Sequence, residues 1–153
     1  MDGSKPKAHV HEPTSRTREK PSGDEEATAE LKLGEFQNVP TLSLSEARLL
    51  INAVLDNRRK LRKVNETETL IKTQDYLEVF ARFKQTENIE AVERVLGAKT
   101  ELELFEKSQL GSLCCETAEE AKTLIPSLAS KISDDDLQDL LNDITQFRNL
   151  AID

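Results

Sequence analysis

Tryptophan is absent from the sequence and aromatic residues make up 4% of it. Any core therefore has to be assembled mainly from Leu, Ile, Val and Ala, a set that favours helices. Long apolar runs are missing as well. No stretch approaches the roughly 18 to 20 apolar residues that a membrane-spanning helix needs, and the opening "MDGSKPKAHVHEP" lacks the apolar segment of a secretory leader. A soluble, intracellular chain is expected. Histidine is confined to His9 and His11, and cysteine to the adjacent pair Cys114 and Cys115. Neighbouring cysteines make poor disulfide partners because the bridge would close a strained ring. Two thiols and a distant His-Val-His do not supply the ligand spacing of a structural zinc site. Walker loops, zincin helices, Gly-rich dinucleotide turns and nucleophile elbows are also missing. The sequence argues against an enzyme, and no catalytic, cofactor-binding or metal-binding residue is expected.

What is there divides into three stretches. Residues 1–30 carry almost no large apolar side chain and are rich in Pro, Ser, Thr, Glu and Lys. They cannot bury enough surface to offset chain entropy, which predicts a disordered N-terminal tail. Residues 31–40 begin with "LKLGEF", where Leu31, Leu33 and Phe36 can line one side of an extended segment. That segment has no evident second strand to pair with, which hints at a partner chain. Residues 41–153 switch to helical periodicity, with Ser or Thr followed three residues later by an acid at the starts. The expected fold is all-α, a compact bundle of about six helices.

The first helix opens at Ser43 and Glu46, with Ala47, Leu50, Ile51, Val54 and Leu61 as its buried face. The second turns Leu70, Leu77, Phe80 and Ala81 inward, with Tyr76 and Phe83 on a flank. A third starts at Thr86 or Asn88 and stops at Gly97; Thr100 with Glu103, Thr117 with Glu120 and Ser133 with Asp136 start the fourth, fifth and sixth. The sixth is expected to bury Leu137, Leu140, Leu141, Ile144 and Phe147.

The net charge of −8 is uneven. The C-terminal part is acidic, and "SDDDLQDLLNDI" alone holds five aspartates, whose place in a first helical turn suits the helix dipole better than metal binding. Against this stands "RRKLRK", Arg58, Arg59, Lys60, Arg62 and Lys63. More positive than a helix end requires, the run is a candidate RNA contact or nuclear-import signal. The cysteines are followed by Glu116, Glu119 and Glu120, which would raise a thiol pKa, and no ordered histidine is near to act as base. One cysteine is expected in the core and the other near the surface.

"LKLGEF", "LSLSEARLLI", "YLEVFARFK", "FEKSQLGSLCCETAEEAKTLIPSL" and "LQDLLNDI", in this order and spacing, resemble the family of the fourth subunit of eukaryotic RNA polymerase II. The resemblance runs from about Leu31 to Leu150. It implies a non-catalytic helical protein, with a domain similar to the nucleic-acid-binding module of RecQ helicases and RNase D. It further implies a heterodimer with the seventh polymerase subunit, protruding as a stalk from the polymerase core near the path of nascent RNA. Leu31, Leu33 and Phe36 would then lie along the partner by strand addition, and some apolar helix surface should stand uncovered in the isolated chain. It implies a nuclear location, with a cytoplasmic pool besides, and sets the cysteines at a corner between helices. Gly111 and Ser112 would let backbones approach there, and Pro126 would turn Leu128 back to the core. Two other readings are weighed: a stand-alone helical nucleic-acid-binding or adaptor module, and a thiol enzyme.

Overall fold

Ser43 sets where the helical part begins. Its hydroxyl accepts the Glu46 N–H at 3.2 Å, while the Glu46 carboxylate accepts the Ser43 N–H at 2.6 Å, so two otherwise unpaired donors are satisfied reciprocally. In the computed structural model, which describes residues 23–149, this box opens α1 (Leu44–Leu61). There follow α2 (Glu68–Phe80), α3 (Thr86–Gly97), α4 (Leu104–Leu113), α5 (Ala118–Leu124), a 3-10 turn at Pro126–Ser130 and α6 (Asp134–Asn149). Thr67, Thr117 and Ser133 accept the N–H groups of Leu70, Glu120 and Asp136 at the starts of α2, α5 and α6. The expected all-α bundle forms, with six helices among the described residues.

The main core lies between α3, α4, α5 and α6. Phe83, Leu110, Leu128, Leu137, Leu140, Leu141 and Ile144 are each at most 1% exposed there. Pro126 occupies the first turn of the 3-10 segment and swings Leu128 into this core. Gly111 marks where three helices meet: a Cβ in its place would lie 3.3 Å from Leu96 Cδ1 and 3.5 Å from Ser43 Cβ. Ser112, next to it, accepts the Leu44 N–H at 3.0 Å and ties the start of α1 to α4.

At the other end of α1 the packing is thinner. α2 lies against α1 through Leu55 and Leu77, which are buried apart from the main core. A polar ladder flanks them: Arg48 donates to Glu78 at 2.7 Å, Asn52 to Glu78 at 3.4 Å and Gln74 to Asn52 at 3.3 Å. The Arg48 hydrogen bond holds the Glu78 carboxyl below its usual pKa.

Several sequence expectations are corrected. The face Ala47, Leu50, Ile51, Val54 and Leu61 is not buried. Leu50 is 54%, Val54 40% and Leu61 78% exposed, because α2 takes the side of α1 that carries Arg48, Asn52 and Leu55 instead. Phe80 and Phe83 exchange roles. The helix ends at Phe80, and Ala81 is extended (φ −67°, ψ 122°), so alternation replaces the helical period. Ala81 and Phe83 turn in, Phe80 and Arg82 turn out. The Phe83 N–H is then satisfied by the buried Ser45 hydroxyl at 3.0 Å.

Gly97 is the last helical residue and not a left-handed stop, and right-handed Ala98 closes α3. α4 is capped by Glu103, not Thr100, since Leu102 must reach the core before the helix can begin. The extended segment is not unpaired: β2 (Leu31–Lys32) runs antiparallel to β1 (Glu26–Ala27), with Ala27 opposite Leu31. Residues 1–22 of the expected tail, with His9 and His11, lie outside the described residues.

Candidate interaction sites

The arm that precedes α1 is short and held by polar contacts. After β2, Leu33 leads into a 3-10 turn at Gly34–Phe36, and Gly34 takes φ +57°, a conformation that a side chain would strain. The Leu33 N–H donates to Gln37 Oε1 at 2.8 Å, Gln37 Nε2 to Glu103 at 3.3 Å, and the Thr41 hydroxyl to the Leu104 carbonyl at 2.7 Å. Of the sequence-selected residues, Leu31 and Leu33 are half-buried and Phe36 is 61% exposed. The first two-residue strand satisfies part of β2, while Phe36 remains open to another surface.

The second surface is the outer side of α1. Ala47, Leu50, Ile51, Val54 and Leu61 follow one another at helical spacing, so they form one stripe even though they do not face the bundle. Ala47 and Ile51 are half-buried and the other three are open. α2 contributes further exposed apolar groups: Val79, and Tyr76 with its ring centroid 4.6 Å from that of Phe80. Such a concentration of large apolar side chains on one helix pair exceeds the scattered exposure normal at a surface.

The basic run splits at the end of α1. Arg58, Arg59 and Lys60 occupy its last turn, where cations complement the helix dipole, and Arg62 is extended and leads Lys63 into the loop. Arg59 bonds Glu66 through two nitrogens, at 2.9 and 2.5 Å, and Asp56 at 3.4 Å, and the Glu66 contact raises its pKa. It therefore closes the α1–α2 loop. Arg58, Lys60, Arg62 and Lys63 are exposed and form no ion pair among the described residues. Four of the five selected cations remain available to an anionic partner.

The cysteines offer no reactive centre. Cys114 closes α4 in the left-handed conformation (φ 49°, ψ 54°), with its N–H bonded to the Leu110 carbonyl at 3.1 Å. Against expectation both thiols are buried, at 5% and 3% exposed, because the turn of α4 into α5 carries the pair into the main core. Burial pushes the Cys114 thiol up to about 11 and raises Cys115 too, with Glu120 adding to the latter. Neither is a thiolate near neutral pH.

The sequence reading also missed a charged group inside the bundle. Glu106 is 0% exposed, accepts the Glu103 N–H at 2.7 Å and the Ser127 hydroxyl at 2.5 Å, and pairs with Lys131 at 2.8 Å. The spacing of Glu103 and Glu106 was the available signal, since an acid three residues after a cap is the second half of a capping box.

Residues 41–148 match the protein family described as RNA polymerase Rpb4. Among individual proteins, DNA-directed RNA polymerase II subunit rpb4 of Schizosaccharomyces pombe (strain 972 / ATCC 24843) is 49% identical over 127 residues, covering 81% of this chain and 93% of the relative. DNA-directed RNA polymerase II subunit RPB4 of Saccharomyces cerevisiae (strain ATCC 204508 / S288c) is 50% identical over 78 residues, 51% of this chain and 35% of the relative. DNA-directed RNA polymerase II subunit 4 of Arabidopsis thaliana is 31% identical over 129 residues, 80% of this chain and 93% of the relative.

Proposed function

The chain belongs to the RNA polymerase Rpb4 family, and from that membership we propose that it serves RNA polymerase II as a non-catalytic subunit, paired with the seventh subunit in the stalk. In that role it supports initiation and the handling of nascent RNA in the nucleus. The observation that carries the pairing is the outward stripe of α1. Leu50, Val54 and Leu61 keep the periodicity of a buried face but are left largely uncovered by the described residues. Covering such a face releases roughly 25 cal/mol for every Å² removed from water, the common driving force of stable association.

The arm supports the same reading. Phe36 projects from the 3-10 turn that follows β2, and the two-stranded piece, which has no third strand among the described residues, can accept one from a partner. Arg58, Lys60, Arg62 and Lys63, on the loop end of the α1–α2 pair, are the residues we assign to phosphate contacts with RNA. With a net charge of −8 the chain as a whole repels polyanions, which disfavours a stand-alone nucleic-acid binder.

The test is co-expression with the seventh subunit, followed by affinity purification and sizing. A stoichiometric complex that assembles onto purified polymerase core is the expected result. Two chains that elute separately at micromolar concentration would overturn the proposal.

A further inference from the structure

We infer that Lys131 is a positioning residue for the N-terminal arm, acting across the bundle through Glu103 and Gln37. Lys131 follows the 3-10 turn at Pro126–Ser130, far along the chain from the arm, yet its ammonium bridges two carboxylates of α4's first turn. It lies 3.0 Å from Glu103 Oε1 and 2.8 Å from Glu106 Oε1. The wholly buried Glu106 needs this cation, because an ionised carboxylate out of water is tolerated only when paired and hydrogen-bonded. Lys131 is thereby fixed, and its other contact fixes the half-exposed Glu103.

Glu103 in turn presents its second oxygen, Oε2, to the Gln37 amide at 3.3 Å. Gln37 is then oriented so that its Oε1 accepts the Leu33 N–H at 2.8 Å. The path thus runs from a buried ion pair to the backbone of the residue that begins the exposed Phe36 turn. Each outer link is weak alone, since water competes for it. Lys131 and Glu106 supply a rigid anchor, so the exposed arm is biased to one setting before a partner arrives, which reduces the ordering cost of association. This inference rests on the proposal that the arm engages the partner.

The experiment is amide exchange followed by NMR on the full, unpartnered chain, with core amides of Leu110 and Leu137 as internal references. Lys131→Met combined with Glu106→Gln removes the cation without leaving a buried charge. Exchange at Leu33 is expected to quicken about threefold or more, the range of one net hydrogen bond, with the reference amides unchanged. Lys131→Arg should restore slow exchange. Should the combined variant lose protection at the references, Glu103→Leu serves instead, because it cuts the middle link and leaves the Lys131–Glu106 pair intact; it too should quicken Leu33. Unchanged Leu33 exchange in a folded variant overturns the inference. Failure of the partner reading looks different: the wild-type chain, with its arm protected, would form no complex with the seventh subunit.

Discussion

Consider Leu50→Gln, Val54→Thr and Leu61→Gln made together on the outer side of α1. In the free chain these side chains are 54%, 40% and 78% exposed, so what remains to be covered by a partner can be worked residue by residue. Complete burial of a Leu or Val is worth about 1.5 to 3 kcal/mol. Scaled by the exposed fractions and taken at the low end, the three contribute about 2 to 3 kcal/mol on association. That is a loss of roughly thirty- to over a hundredfold in affinity when they are made polar. The free protein should lose little, because none of the three is in its core. Leu55→Ala on the opposite side, where Leu55 is 4% exposed, should by contrast destabilise the free chain by about 2 to 4 kcal/mol. Titration with the seventh subunit measures the first effect and urea unfolding followed by circular dichroism the second. A triple variant with wild-type affinity would show that the stripe is not the interface. A triple variant destabilised as much as Leu55→Ala would show that the stripe belongs to this chain's own packing.

Three further outcomes are expected. Leu33→Asp with Phe36→Asp should leave the helical signal unchanged and cut co-purification with the seventh subunit sharply, since both charges enter an apolar contact; wild-type recovery would make the arm dispensable. Arg58→Glu with Arg62→Glu should weaken RNA crosslinking at low salt more than at high salt, whereas Arg59→Glu should chiefly loosen the α1–α2 loop through Glu66; equal crosslinking in all variants would return the run to a plain helix end. Cys114, pushed from 9.0 to about 11 by burial, favours its protonated form in the fold. Its contribution is therefore fully present below pH 9 and is lost as pH rises towards 11, and Cys114→Ala should flatten unfolding free energy across that window; an unchanged slope would contradict the assignment.

Local signals were legible in the sequence and tertiary ones were not. Ser43, Thr117 and Ser133 announce helix starts because a cap and its acid lie within one turn, and Leu137, Leu140, Leu141 and Ile144 announce their face because α3 and α5 pack on α6. The stripe on α1 has the same periodicity, but a pattern says only that a face is apolar and cannot say what covers it. Phe83 was misplaced because the period changes from 3.6 to 2 once α2 ends at Phe80. The pairing of Ala27 with Leu31 carries no alternation long enough to read. At the candidate sites, composition exposed the basic run, but which of its cations is occupied depends on the fold, which sets Arg59 on Glu66 and leaves its neighbours without an ion pair among the described residues.

The thin attachment of α2 bears on how the molecule melts. Leu55 and Leu77 stand apart from the cluster that unites α3 to α6, and the helix pair they join meets the rest through the first turns of α1: Leu49 packs on that cluster, and the Leu44–Ser112 and Ser45–Phe83 bonds cross to it. Two cooperative units of unequal stability follow, with the pair able to open while the four-helix remainder stays closed. The Tyr76 environment should then report an earlier thermal midpoint than the helical signal as a whole, and no single Tm describes the free chain. Covering α1 from outside would draw the two midpoints together, so a partner would act on this subunit as much by completing its cooperativity as by holding it in place.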